Sequence, residues 1–145
     1  MCAEISDSSS SANFVCIYHP PGHLANVFDD FQNLLENLAT NHSELYILVD
    51  FNLHLDIHSS ITTMFDDILT YFDLKQHVIV LTHIQCWLDL LKTRSTCNNI
   101  PKLTVSDGLS NHHTVIADIN IFITAFIFKK IYIDNTQNRY YCLQL

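Results

Sequence analysis

The feature that most constrains this chain is a change of apolar period near residue 40. Leu24, Val27, Phe28, Phe31, Leu34, Leu35 and Leu38 recur at helical spacing, with Asp29, Asp30, Gln32, Asn33 and Glu36 on the opposite side. That pattern predicts an amphipathic helix with one stripe laid on a core. Leu45 to Val49 then form a short solid apolar run bounded by polar residues, which predicts a buried strand. The Asp50-Phe51-Asn52 that follows falls at the C-terminal end of that strand, where α/β proteins place chemistry. Upstream, Asn13 to Tyr18 is a compact β-prone run stopped by the turn signal Pro20-Pro21-Gly22. Residues 1–12 are Ser-rich and carry no apolar period, so they are expected to be a disordered leader.

A second helix is predicted from Ser59 or Ser60 as cap, through Ile61, Met64, Phe65, Ile68, Leu69 and Phe72, to about Asp73. Beyond it come only short β-rich runs: Val78 to Leu81, Trp87 to Lys92, Leu103 to Val105, Thr114 to Ile123 and Ile127 to Ile133. The 145 residues, 48% hydrophobic, suffice for one core. Gly22 and Gly108, the only glycines, cannot build a glycine-rich phosphate cradle. Five cysteines (Cys2, Cys16, Cys86, Cys97 and Cys142) without a C-x-x-C pair argue against a disulfide framework or a zinc knuckle. The longest uncharged apolar run, Ile119 to Phe128, is closed by Lys129 and Lys130. It is far short of the roughly 20 residues of a membrane-spanning helix and reads as a buried strand. Met1 to Ser11 pairs no basic region with an apolar one, so an intracellular protein, cytoplasmic or nuclear, is expected.

Charge is unevenly placed. The first 74 residues carry eleven acids and no Lys or Arg, whereas the rest carry seven bases and four acids, for a net −8. A protein that held nucleic acid by phosphate neutralisation alone would be basic, so any such role must rest on a local site. Asp50, Asn52, His54, Asp56 and His58 alternate with Phe51, Leu53, Leu55 and Ile57. As an extended segment they would form a polar face able to bind a transition metal, although a half-exposed strand gives the same pattern without one. The pair His112-His113 and the separate His19, His23, His42, His77 and His83 lack zinc-enzyme spacing and read as surface or satisfied core residues.

The order strand, helix, strand-D-F-N, helix, strand, L-D-L, strand, S-x-H-H carries Tyr18 in C-I-Y-H-P-P, Asp50 and Asn52 in V-D-F-N, Asp89 in W-L-D-L-L, and Asn111 with His112 in S-N-H-H. In that order the motifs resemble the endonuclease/exonuclease/phosphatase superfamily. With Thr82-His83 and Ser106-Asp107-Gly108 they are most similar to its non-LTR retrotransposon branch, in which the domain nicks target DNA before reverse transcription. The resemblance implies an α/β (α+β) fold, a partial four-layer α/β sandwich represented mainly by its second sheet with two helices. It would span residues 13–125, and residues 126–145 would form a C-terminal extension ending the sheet as an edge strand. Mg²⁺ is the implied cofactor and DNA the implied partner. Self-association through an exposed sheet face, drawing on Ile47, Val115, Ile119 and Ile121, is also expected.

Hydrolysing a phosphodiester requires an oriented water, charge stabilisation at the phosphoryl oxygens and help for the departing oxygen. By resemblance, Asp50 accepts a proton from the water or orients it, and Asn52 holds the phosphate or that water from the same side of an extended segment. His112 donates to the phosphate, Asp89 fixes its ring and Tyr18 contacts the phosphate through its hydroxyl. Three departures from the family pattern predict weak or absent activity. The metal-binding Glu expected upstream of the tyrosine strand has no counterpart in Met1 to Asn13. Asn111, a degenerate metal position, stands where an acid precedes the motif histidine. Val49 stands where glycine precedes the D-F-N acid. The stretch Ile84 to Trp87 is also shortened. The second class open to the chain is a non-catalytic fragment or interaction module that keeps half of the fold.

Overall fold

The computed structural model describes residues 2–6, 11–22, 26–40, 43–55, 57–83, 88–107, 112–121 and 127–131. In chain order these form β1 (Cys2–Ser6), β2 (Ser11–Tyr18), α1 (Val27–Ala39), β3 (Glu44–Asp50), α2 (Ser60–Tyr71), β4 (Leu74–Gln76), β5 (Asp89–Arg94), β6 (Lys102–Ser106), β7 (Thr114–Asp118) and β8 (Ile127–Ile131). The described residues form a mixed α/β fold, with two helices, a six-stranded sheet in the order β4-β5-β3-β2-β1-β8 and a separate two-stranded sheet of β6 and β7.

The parallel pair β2–β3 lies inside the large sheet, and α1 makes the crossover that parallel neighbours require. The β3–β5, β4–β5, β1–β2 and β1–β8 pairs are antiparallel. Pleating divides β3 between two faces. Leu45, Ile47 and Val49, with Val15 and Leu90 of the neighbouring strands, pack in one core with Phe28, Phe31 and Leu35 of α1 and Phe65, Ile68 and Leu69 of α2. The opposite face holds a smaller cluster of Ala12, Phe14, Tyr46 and Cys97, against which Ile100, Ile119 and Ile121 pack. Phe14 and Tyr46 lie opposite each other in register and stack at 4.9 Å between centroids.

The helices follow their sequence signals closely. Ser59 caps α2, its Oγ accepting from the backbone N–H of Thr62 while Thr62 Oγ1 accepts from the Ser59 N–H, a reciprocal capping box. The first turn of α1 carries Asp29 and Asp30, the favourable sign for a helix N-terminus.

Three expectations are corrected. Residues 1–12 are not a disordered leader throughout: Cys2–Ser6 is a strand that pairs with Ser11–Val15, so backbone pairing overrides a composition without apolar period. Val78 to Leu81 is not a strand; Val78 is buried, while Ile79, Val80 and Leu81 are exposed. Leu74–Gln76, too polar to stand out, pairs with β5 instead. Ile47 does not lie on an uncovered face: it is fully buried beneath the helices, and the face opposite them begins with Tyr46 and Leu48. Residues 122–126 of the apolar run Ile119 to Phe128, and 132–145 of the expected extension, lie outside the described residues. β8 sits at one edge of the large sheet. No described helix is long and apolar enough to cross a membrane.

Candidate functional site

Register brings the site together. Tyr18, the last residue of β2, lies opposite Asp50, the last of β3, and Asp50 lies opposite Asp89, the first of β5. Directly opposed residues share a face, so the three side chains project from one end of the sheet on the face away from the helices. Phe51, next in sequence, turns the other way. It is buried among Phe28, Phe31 and Phe65, with ring centroids 5.3–6.2 Å away. A large apolar ring between Asp50 and Asn52 thus anchors the strand end in the core and leaves the acid facing outward.

Asn52 does not continue an extended segment as expected. Its φ of 53° places it in the left-handed region, which Asn tolerates better than most residues. Its N–H donates to Asp50 Oδ1 at 2.9 Å, and its side-chain amide donates to the His19 carbonyl at 2.7 Å. Asn52 therefore locks the ends of β2 and β3 together, which a purely substrate-directed amide would not do. The His19 N–H donates to the Asp50 carbonyl at 2.8 Å and completes that clamp. The predicted polar face of Asp50, Asn52, His54, Asp56 and His58 fails for the same reason. The chain leaves β geometry at Phe51, Ile57 N–H closes a turn onto the His54 carbonyl, and Asp56 lies outside the described residues.

His112 arrives from another part of the chain. Its backbone forms an antiparallel bridge with His83, and its Nδ1 lies 2.9 Å from Asp89 Oδ2. The His83 and His112 rings meet edge-on, with centroids 4.8 Å apart. A ligand atom from each of Asp50, Asp89 and His112 fits within 4.8 Å of the others. Burial pushes the Asp50 carboxyl above the ordinary carboxylate range. The Asn52 N–H opposes that shift, Asp89 adds to it, and His112 and His83 oppose it.

Of the residues selected from sequence, Asp50, Asp89 and His112 converge, and Tyr18, about one-third exposed, stands beside Asp50 on the same face. Asn52 adjoins them in a locking role. Asn111, Gly108 and Ile84 to Trp87 lie outside the described residues. Sequence reasoning missed the placement of His83 against the His112 ring; the only signal was its position beside Thr82, because no spacing rule links residues 83 and 112. No known family profile matches the chain, and no curated protein sequence does either.

Proposed function

We propose that this chain carries a degenerate phosphodiesterase site of the endonuclease/exonuclease/phosphatase type, acting on DNA with residual, Mg²⁺-dependent nicking activity. The observation that supports it is the 2.9 Å pairing of His112 with Asp89 beside the buried Asp50, at the shared end of three adjacent strands. In this reading Asp89 orients the His112 ring so that Nε2, once protonated, donates to a phosphoryl oxygen. Asp50, biased by burial toward taking a proton, orients and deprotonates the attacking water. Tyr18 supplies a hydroxyl to the phosphate from the neighbouring strand.

A hard cation prefers oxygen ligands, commonly one or two carboxylates completed by substrate phosphate. Asp50 and Asp89 fit that role, since each has a carboxylate oxygen outside the bonds to Asn52 N–H and His112 Nδ1 described above. When bound, Mg²⁺ would stabilise charge on the phosphoryl oxygens. Asn111, standing where the family has an acid, removes one preorganised charge, a loss that typically costs roughly 100- to 1000-fold in rate. Val49 in place of the family's glycine is a second departure at the same site, and because groups that act as a unit are not additive, Asn111→Asp alone restores almost nothing.

The test is incubation of purified protein with supercoiled plasmid and Mg²⁺, with His112→Ala in parallel. Slow nicking that requires Mg²⁺ and disappears in His112→Ala supports the reading. Equal nicking by the two proteins overturns it in favour of the second reading, a non-catalytic fragment or interaction module. That second reading draws on the Asn52 amide, which is already engaged by the His19 carbonyl.

A further inference from the structure

Thr82 occupies an unusual place relative to the pair Asp89–His112. It lies in an irregular segment, yet it is fully buried. Its Oγ1 accepts from the N–H of Leu88 at 3.2 Å and from the N–H of Asp89 at 2.9 Å, which are the last residue before β5 and its first. Its carbonyl accepts from the His113 N–H at 2.7 Å. One residue thus holds the backbone on both sides of the pair: the start of the strand that carries Asp89 and the residue after His112. The next residue, His83, completes the contact by bridging to His112 and laying its ring against the imidazole.

A threonine is chemically suited to this. Its carbonyl is a backbone acceptor that any residue offers, but its hydroxyl oxygen has the two lone pairs needed to accept two converging amide protons, and the branched Cβ restricts the rotamers from which it does so. Valine has nearly the same shape and lacks the acceptor, so it would leave two buried N–H groups unsatisfied. Water cannot stand in for that hydroxyl, because Thr82 is fully buried.

The geometry points to Thr82 as a positioning residue that fixes Asp89 against His112, and so sets which ring nitrogen of His112 carries the proton. With Nδ1–H donating to Asp89, Nε2 is the ring atom that takes up the proton it would then donate. The link to catalysis rests on the phosphodiesterase reading; the positioning itself does not.

The experiment compares wild type, Thr82→Val and Thr82→Ser. Two readouts are used: amide hydrogen exchange at Leu88, Asp89 and His113, and the His112 tautomer from the ¹⁵N shifts of its ring. A role limited to packing would not move the tautomer. Thr82→Val is expected to speed exchange at Leu88 and Asp89 by about tenfold, the effect of losing one ordinary hydrogen bond. It is also expected to turn a single His112 tautomer into a mixture, while Thr82→Ser keeps both wild-type signatures. An unchanged His112 tautomer in a folded Thr82→Val protein overturns the inference. Should Thr82→Val not fold, the wild type decides: unprotected Leu88, Asp89 and His113 amides, or a mixed His112 tautomer, overturn it equally. Plasmid nicking is scored separately. A tautomer that follows Thr82 in a chain that never nicks keeps this inference and removes the phosphodiesterase reading.

Discussion

The two faces of the six-stranded sheet both bury charge, and they treat it differently. On the helix side, Lys92 lies opposite Ile47 in register, is 4% exposed, and sits with its ammonium 5.5 Å from the centre of the Phe65 ring. Burial pulls its pKa down to about 8, with Asp66 opposing the shift. On the other side Asp50 is 6% exposed, but a backbone N–H, a second carboxylate and an imidazole surround it. Desolvation pushes both groups toward neutrality. The difference is that the first environment offers the charge an aromatic face and the opposing field of Asp66, whereas the second offers it a hydrogen-bond donor and two titratable neighbours. Burial alone does not mark a reactive group; polar neighbours arranged around it do.

The comparison breaks most visibly at Phe65. It is fully buried and touches Phe28, Phe31 and Phe51, so Phe65→Ala should lower stability by about 3–5 kcal/mol in urea unfolding. Because Phe51 is pinned by the same cluster, the variant should also disorder the Asp50-Phe51-Asn52 turn. A loss below about 1 kcal/mol would mean that the helix layer does not organise the site.

Lys92→Met sharpens the contrast next. A lysine whose folded pKa is depressed binds fewer protons folded than unfolded, so stability rises with pH between about 8 and the ordinary value of 10.5. The slope can reach about 1.4 kcal/mol per pH unit for a single proton. Lys92→Met should be the more stable protein at pH 7, and its advantage should shrink across that window. Parallel urea titrations at pH 7, 9 and 10.5 measure this, and an advantage independent of pH would contradict it.

Asp50→Asn should give a smaller effect of the opposite pH sense. A carboxyl with a raised folded pKa lends stability that is complete below the unfolded value of 3.8 and is lost as pH rises through the folded value. The amide keeps an acceptor for the Asn52 N–H. Asp50→Asn should therefore melt above wild type at pH 7 and match it in strong acid, while abolishing any His112-dependent nicking. A destabilised Asp50→Asn at pH 7 would show that His112 and Asp89 hold the charge more firmly than burial penalises it.

The smallest effect is expected at Ser59, where Ser59→Ala removes the α2 cap at a cost of about 1 kcal/mol and leaves the Asp89–His112 contact untouched. Thermal unfolding reads the first part. The His112 ring ¹⁵N shifts read the second.

Much of this was legible in the sequence, for reasons that differ between elements. The helical stripes of α1 and α2 and the solid run at β3 were readable because each buries one face in a single core. β4 was not, because Leu74-Lys75-Gln76 earns its strand geometry only from pairing with β5. Ile79, Val80 and Leu81 misled in the other direction, since β-propensity measures fit to a half-buried pleated surface and here that surface is missing. At the site, Asp50 and Asn52 were readable from the strand end, but the left-handed Asn52 and its bond to His19 depend on a partner 33 residues away. Asp89 and His112 could be linked only through the order of motifs, and nothing local tied His83 or Thr82 to them.

The position of β8 governs how the sheet can be assembled as the chain is made. β1 pairs on its inner side with β2, close by in sequence, but its outer edge is closed by β8, with Ser6 opposite Ile127. Translation at about 5–20 residues per second leaves roughly 6–24 s between the emergence of these two partners. Throughout that interval the outer edge of β1 presents open backbone donors and acceptors to any neighbouring nascent chain. Polysomes, where identical chains grow side by side, are where such an edge would find the wrong partner, and faster elongation between Ser6 and Ile127 would shorten its exposure.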